Sequence, residues 1–207
     1  MAQTPWKFAQ TATGWTNGGN IAADDGALVQ PGLLGAGVFS AILNAYNFGF
    51  TTSDIPTGST IQGVEFRVKW RRTANGSPVG VQYAMLRLSW GGNDGNNKAA
   101  SVPAITNLPT SFTLGGAADT WGATVLTLIP DGENEVRSTN FGFTFRVFNA
   151  DAKYSVELGI DCIEMRVTFT PPATTTTTST TTTSTTTTPN PTPSAPQGRL
   201  RTLLGVG

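Results

Sequence analysis

Histidine is absent from all 207 residues. That removes the commonest general base, and with it Ser-His-Asp triads, Cys-His pairs and imidazole-ligated zinc. The single cysteine, Cys162, has no second thiol to pair with. It falls in an alternating segment, so its expected role is a buried core thiol rather than a nucleophile. Carboxylates remain, and glycoside hydrolysis needs only two. Glu133, Glu135 and Asp151 are available, but each falls at a turn or segment end where solvated charge is ordinary. Nothing in their spacing selects a pair, so no catalytic residue is expected and the chain is read as a non-enzyme.

Two loops carry the oxygen ligands that suit calcium, Asp24-Asp25-Gly26 and Asn93-Asp94-Gly95-Asn96-Asn97. The second would need an acid at its twelfth position and has Ala104 instead. Turn formation accounts for both, and no metal or cofactor is expected. Gly91-Gly92-Asn93-Asp94-Gly95 is not followed by the Lys-Ser or Lys-Thr pair of a phosphate loop. Asn75-Gly76-Ser77 matches a glycosylation acceptor but reads as a turn. Five tryptophans could stack on a ligand. Trp70 and Trp90 continue apolar strand faces and are assigned to the core. Trp6, Trp15 and Trp121 lie near turns or strand starts, and Trp15 and Trp121 are the candidate ligand or glycan contacts, with core packing the favoured alternative for each.

The elements that must position these residues read as strands. Period-two alternation recurs between turn clusters. In Ile61–Arg72, Val64, Phe66, Val68 and Trp70 share one face and Glu65, Arg67, Lys69 and Arg71 the other. Turn chemistry at residues 73–78 followed by a strand over Val79–Trp90 predicts a β-hairpin. Further strands are expected at Thr120–Ile129, ended by Pro130-Asp131-Gly132, and at Phe141–Phe148. From Tyr154 to Phe169 the apolar phase flips near Asp161-Cys162. Either a β-bulge in one long strand or a switch between sheets would produce that flip. Short strands are expected near Gly26–Gln30 and Ser40–Phe50. About eight strands and no helix predict an all-β fold, an antiparallel β-sandwich of jelly-roll type, with an immunoglobulin-like sandwich as the alternative.

Composition divides the chain into a sandwich domain over 1–170, a Thr/Ser/Pro-rich linker or stalk over 171–197, and a terminal peptide over 198–207. Residues 174–188 are thirteen Thr and two Ser, with no apolar side chains to offset ordering entropy, so an extended spacer is expected. Apolar residues return only at the end. Arg199, Leu200, Arg201, Leu203, Leu204 and Val206 form an apolar-basic motif that reads as a docking peptide for a protein partner. Thirteen basic and thirteen acidic side chains cancel, so no nucleic-acid or membrane partner is expected. The first residues, Met-Ala-Gln-Thr-Pro-Trp-Lys-Phe, lack the apolar stretch of a signal peptide, and synthesis in a cytoplasm is the expectation.

Several stretches combine Gly, aromatic and turn residues in a recurring way: residues 15–20 (Trp-Thr-Asn-Gly-Gly-Asn), Asp24-Asp25-Gly26-Ala27, Asn47-Phe48-Gly49-Phe50 and the run from Ile55 to Val64. Asp119-Thr120-Trp121-Gly122, Asn140-Phe141-Gly142-Phe143 and the closing strand with Asp161 and Ile163 complete the set. Together, over residues 13–169, they resemble a module of tailed-bacteriophage and prophage structural proteins. The resemblance implies a place in the virion as a capsid decoration protein, head fibre or tail-associated protein. The partners implied are a protein shell or other virion proteins, further copies of the chain in a homo-oligomer with a trimer favoured, and a host-surface glycan. On the residues alone, two alternatives stay open: a carbohydrate- or receptor-binding module, and a cargo protein docked to a shell by its terminal peptide.

Overall fold

Alternation decides which side chains face inward, and the computed structural model, which describes residues 1–74, 81–102 and 110–173, bears this out. Ten strands are described: β1 (Ala2–Gln3), β2 (Lys7–Phe8), β3 (Thr11–Thr13), β4 (Leu43–Tyr46), β5 (Thr60–Ala74), β6 (Val81–Trp90), β7 (Asn93–Asp94), β8 (Thr110–Gly115), β9 (Gly142–Asn149) and β10 (Glu157–Thr170). Val64, Phe66, Val68 and Trp70 of β5, Leu86 and Leu88 of β6, and Phe143, Phe145 and Val147 of β9 are all buried between two sheets. Burying one such side chain contributes about 1.5–3 kcal/mol. The aromatic rings interlock across the layer: Phe66 lies 4.5 Å from Phe143 and 5.6 Å from Trp121.

The first sheet has the order β1-β10-β5-β8, with β2 also on β10, and the second has β3-β4-β9-β6-β7. All pairings are antiparallel. Along the chain, β1 and β2 lie in the first sheet, β3 and β4 in the second, and from there to β10 the chain changes sheet at every step except β6 to β7. This is a jelly-roll sandwich. The predicted hairpin between residues 61–72 and 79–90 therefore does not exist. β5 pairs with β10 and β8, while β6 pairs with β9 and β7. Alternation shows which side chains face the core but not which strand lies alongside, and a turn can join two sheets as readily as two neighbours.

The phase flip in the last strand is a β-bulge. Ile160 pairs with Trp70 and Cys162 with Lys69, so Asp161 has no partner on β5. The expected strand over Thr120–Ile129 is instead a 3-10 turn at Thr124–Thr127, followed by helix α1 (Asp131–Arg137). Asp131 and Glu133 in its first turn and Arg137 in its last suit the helix dipole, which was the signal for it. β8, with Phe112 and Leu114 facing in, has no counterpart in the expected strand set. The compact unit ends at Ala173, and most of the linker and the whole terminal peptide lie outside the described residues.

Candidate ligand-binding face

The two sheets turn different chemistry outward. On the first, charges close on one another. Arg67 pairs with Glu164 at 2.6 Å, and Arg166 holds Glu65 through two hydrogen bonds of 2.9 Å. The half-buried Trp6 ring has the guanidinium carbons of Arg67 and Arg166 at 4.8 and 4.7 Å from its centroid. Lys69 pairs with Asp24 and lies 3.4 Å from Asp161. The Asp161 carboxylate, only 5% exposed, accepts the amides of Gly26 at 2.9 Å and Asp25 at 3.3 Å. The bulge thus aims Asp161 at the Asp24–Ala27 loop, which it ties to the sheet. The loop that carried the calcium reading is held by Lys69 and Asp161, and among the described residues no three acidic or thiol side chains are placed to hold a metal ion. The lysine bond holds the Asp24 carboxyl below its ordinary value, and the Asp24 bond raises Lys69. Beneath this network, burial pushes the Cys162 thiol up to about 12, with Glu164, Asp24 and Asp161 adding to it. Such a thiol is not a nucleophile.

The second sheet offers a hollow. Its outward positions run in register across the strands: Tyr46, Gly142 and Ser89 form one row, and Asn44, Thr144 and Arg87 the next. Gly142 supplies no side chain to its row, and a Cβ there would lie 2.2 Å from the Ala45 carbonyl oxygen and 2.8 Å from the Tyr46 Cβ. The result is a depression of about 190 Å³ lined by Asn44, Tyr46, Ser89, Asn140, Gly142 and Thr144, among others. Asn44 Oδ1 accepts from the Thr144 hydroxyl at 3.3 Å. One half-buried aromatic ring and several neutral hydrogen-bonding side chains thus surround a shallow cleft, a pattern suited to a polyhydroxylated ligand.

The tryptophans nominated from sequence are elsewhere. Trp15 is 8% exposed, donates its Nε1–H to the Ala41 carbonyl at 2.9 Å and meets the Phe145 ring edge-on at 5.5 Å. Trp121 is 0% exposed and donates to the Val64 carbonyl at 2.9 Å. Neither ring presents a face to a ligand, because a nearby turn does not keep a large ring out of the core once its N–H has a buried acceptor. Glu133 is fully buried, with Oε1 accepting the Gly58 amide at 2.8 Å, and Asp151 accepts the amides of Lys153 and Tyr154. Both acids hold loops. Arg199, Leu200, Arg201, Leu203, Leu204 and Val206 lie outside the described residues. Asn44, Tyr46, Ser89 and Thr144 were missed. Their signal was their position on the polar side of alternating strands, which cannot be told from ordinary solvated surface without the register.

No family model and no curated protein matches the chain. Solved structures with some likeness include "CBM4 structure and function", at 12% identity and a TM-score of 0.41 over 78% of this chain and 94% of that one. "SGBP-B from a complex xyloglucan utilization locus in Bacteroides uniformis" has 12% identity and a TM-score of 0.42, over 80% of this chain but 46% of that one, so the chain spans about half its length. "Cryo-EM structure of rhinovirus-B5" has 12% identity and a TM-score of 0.29 over 79% of this chain and 75% of that one. Likeness at this level adds nothing to what the strand order already shows.

Proposed function

We propose that the domain is a non-enzymatic carbohydrate-binding module whose site is the depression on the outer face of the second sheet. The observation that supports it is the hollow over Gly142, with the Tyr46 ring at its rim and amide and hydroxyl side chains around it. A sugar ring stacked on Tyr46 would place hydroxyls beside Asn44, Ser89 and Thr144. Removing the ring by Tyr46→Ala should weaken glycan binding roughly tenfold, equivalent to about 1.4 kcal/mol. Titration of glycans selected on an array would measure this. Absence of binding to every glycan, or binding indifferent to Tyr46, would overturn the reading.

On the resemblance of residues 13–169, we further place the module on a tailed-phage particle as a displayed component joined to the shell through residues 198–207. Supporting this, the residues that carry the resemblance hold this fold's turns and core: Asn47 and Gly49 take left-handed backbone, and Trp121 anchors Val64. Mass-spectrometric copy number in purified particles, for the full chain and for one ending at Gln197, tests it. Absence of the full chain from particles would refute it.

A further inference from the structure

Among the described residues, three cations on the outer face of the first sheet are neutralised by carboxylates: Arg67 by Glu164, Arg166 by Glu65, and Lys69 by Asp24 and Asp161. The second sheet is different. Arg87 forms a longer ion pair with Asp94, at 3.5 Å, and its Nε has no hydrogen-bond partner among the described residues. Arg146 has no carboxylate within ion-pair distance among the described residues. It is nonetheless held in place. Its Nε donates to the Ser40 carbonyl at 3.0 Å, and its guanidinium carbon lies 4.7 Å from the centroid of the Phe39 ring. Phe39, 48% exposed, is backed by Phe148 at 4.5 Å.

These residues continue the hollow. Gly142, Thr144, Arg146 and Phe148 alternate outward along β9 while Phe143, Phe145 and Val147 face the core. At about 3.4 Å per residue the strip from Gly142 to Phe148 runs roughly 20 Å, long enough for several sugar units. It carries Tyr46 at one end, the two arginines in the middle and the Phe39–Phe148 pair at the other. A fixed guanidinium with no carboxylate paired to it among the described residues, beside a polyhydroxyl-binding hollow, is a receptor for a carboxylate or sulfate oxygen pair.

Resting on the carbohydrate-binding reading above, we infer that this strip binds an acidic oligosaccharide, with a uronate carboxylate or a sulfate ester seated on Arg146 and Arg87 as the second cationic contact. The ligand's neutral hydroxyls engage the hollow, while its anionic groups fix its register along β9.

Binding of the full chain to polygalacturonate, dextran sulfate and neutral dextran, at low and moderate salt, tests the inference. At least one anionic polymer should bind tenfold or more tighter than dextran. Arg146→Gln should remove most of that preference, Arg87→Gln should reduce it, and Tyr46→Ala should weaken both polymer types alike. Arg166→Gln removes the same charge from the opposite face and should leave the preference unchanged, which separates a built site from bulk attraction. Unfolding midpoints of each variant report whether it is folded. Which polymer binds distinguishes a carboxylate from a sulfate source. Equal binding of anionic and neutral polymers, or a preference that survives Arg146→Gln, overturns the inference while the carbohydrate reading stands through its Tyr46 dependence. Binding of no glycan at all overturns both.

Discussion

If the bulge in β10 exists to aim one carboxylate at the 24–27 loop, Asp161→Ala should cost stability in proportion to the hydrogen bonds it removes. Asp161 accepts from Gly26 at 2.9 Å and from Asp25 at 3.3 Å, and is almost fully buried. A hydrogen bond to a charged group contributes about 1.5–3 kcal/mol when buried. The Asp25 bond is long, and both amides lie in an exposed loop where water can replace the lost partner. The expected loss is therefore about 2–3 kcal/mol rather than twice that. For a domain of this size that is a fall in Tm of roughly 4–12 °C. Asp161→Asn retains an acceptor for both amides and should lose about 1 kcal/mol or less. Urea unfolding followed by tryptophan fluorescence measures both, and amide exchange at residues 25 and 26 should accelerate in the alanine variant only. An alanine variant within about 0.5 kcal/mol of wild type, or an asparagine variant as damaged as the alanine one, would refute the reasoning.

Trp121→Phe should cost about 1–3 kcal/mol by leaving the buried Val64 carbonyl without its 2.9 Å donor, and a smaller loss in urea unfolding would show that water replaces the indole. Gly142→Ala should destabilise by about 1–3 kcal/mol because the new methyl overlaps the Ala45 carbonyl. It should also abolish glycan binding, and a variant as stable as wild type would mean the β4–β9 strands part easily. Cys162, its thiol pushed up to about 12, should resist iodoacetamide near neutral pH in the native state and react once the chain is unfolded. Equal labelling rates in the two states would contradict its burial. The Asp24–Lys69 pair fixes a pH window. Asp24 sits below its ordinary 3.8, so its contribution is present above that value and lost as pH falls through the lower folded value. Lys69 sits above its ordinary 10.5, so its contribution is present below that value and lost as pH rises through the higher folded one. The stability difference between wild type and Asp24→Asn should stay flat from about pH 5 to 9 and shrink in acid. A difference that drifts within that window would show that another group titrates with the pair.

Much of the fold was legible because alternation is a direct record of burial. Phe143, Phe145 and Val147 lie inside as their spacing required, and the phase flip at Asp161 is a bulge. Pairing was not legible. β5 alternates cleanly from Val64 to Arg71 and β6 from Leu86 to Trp90, beyond a register shift at Tyr83–Met85, yet a sandwich satisfies both by placing them in opposite sheets, and no local signal separates that outcome from a hairpin. The segment at 120–129 is rich in the apolar and β-branched residues that favour strands, but the left-handed backbone at Trp121 and Gly122 breaks the extended path before it starts. The candidate face was least legible. Tyr46, Ser89 and Thr144 are far apart in sequence and ordinary in type, and only the β4–β9–β6 register gathers them around Gly142.

The pairing of Ala2 with Phe169 closes nearly the whole domain into one loop. β10 is flanked by β1 and β2 on one side and by β5 on the other, so the final strand of this compact unit is interior to its sheet rather than peripheral. During synthesis β5 must wait with one edge bare until residue 170 emerges, which favours slow, late folding. A deletion cutting into β10 would remove the sheet's middle, not trim its rim. The same neighbourhood of first and last strands makes the domain suited to circular permutation, with the ends joined by a short linker and new termini opened in a distant surface loop.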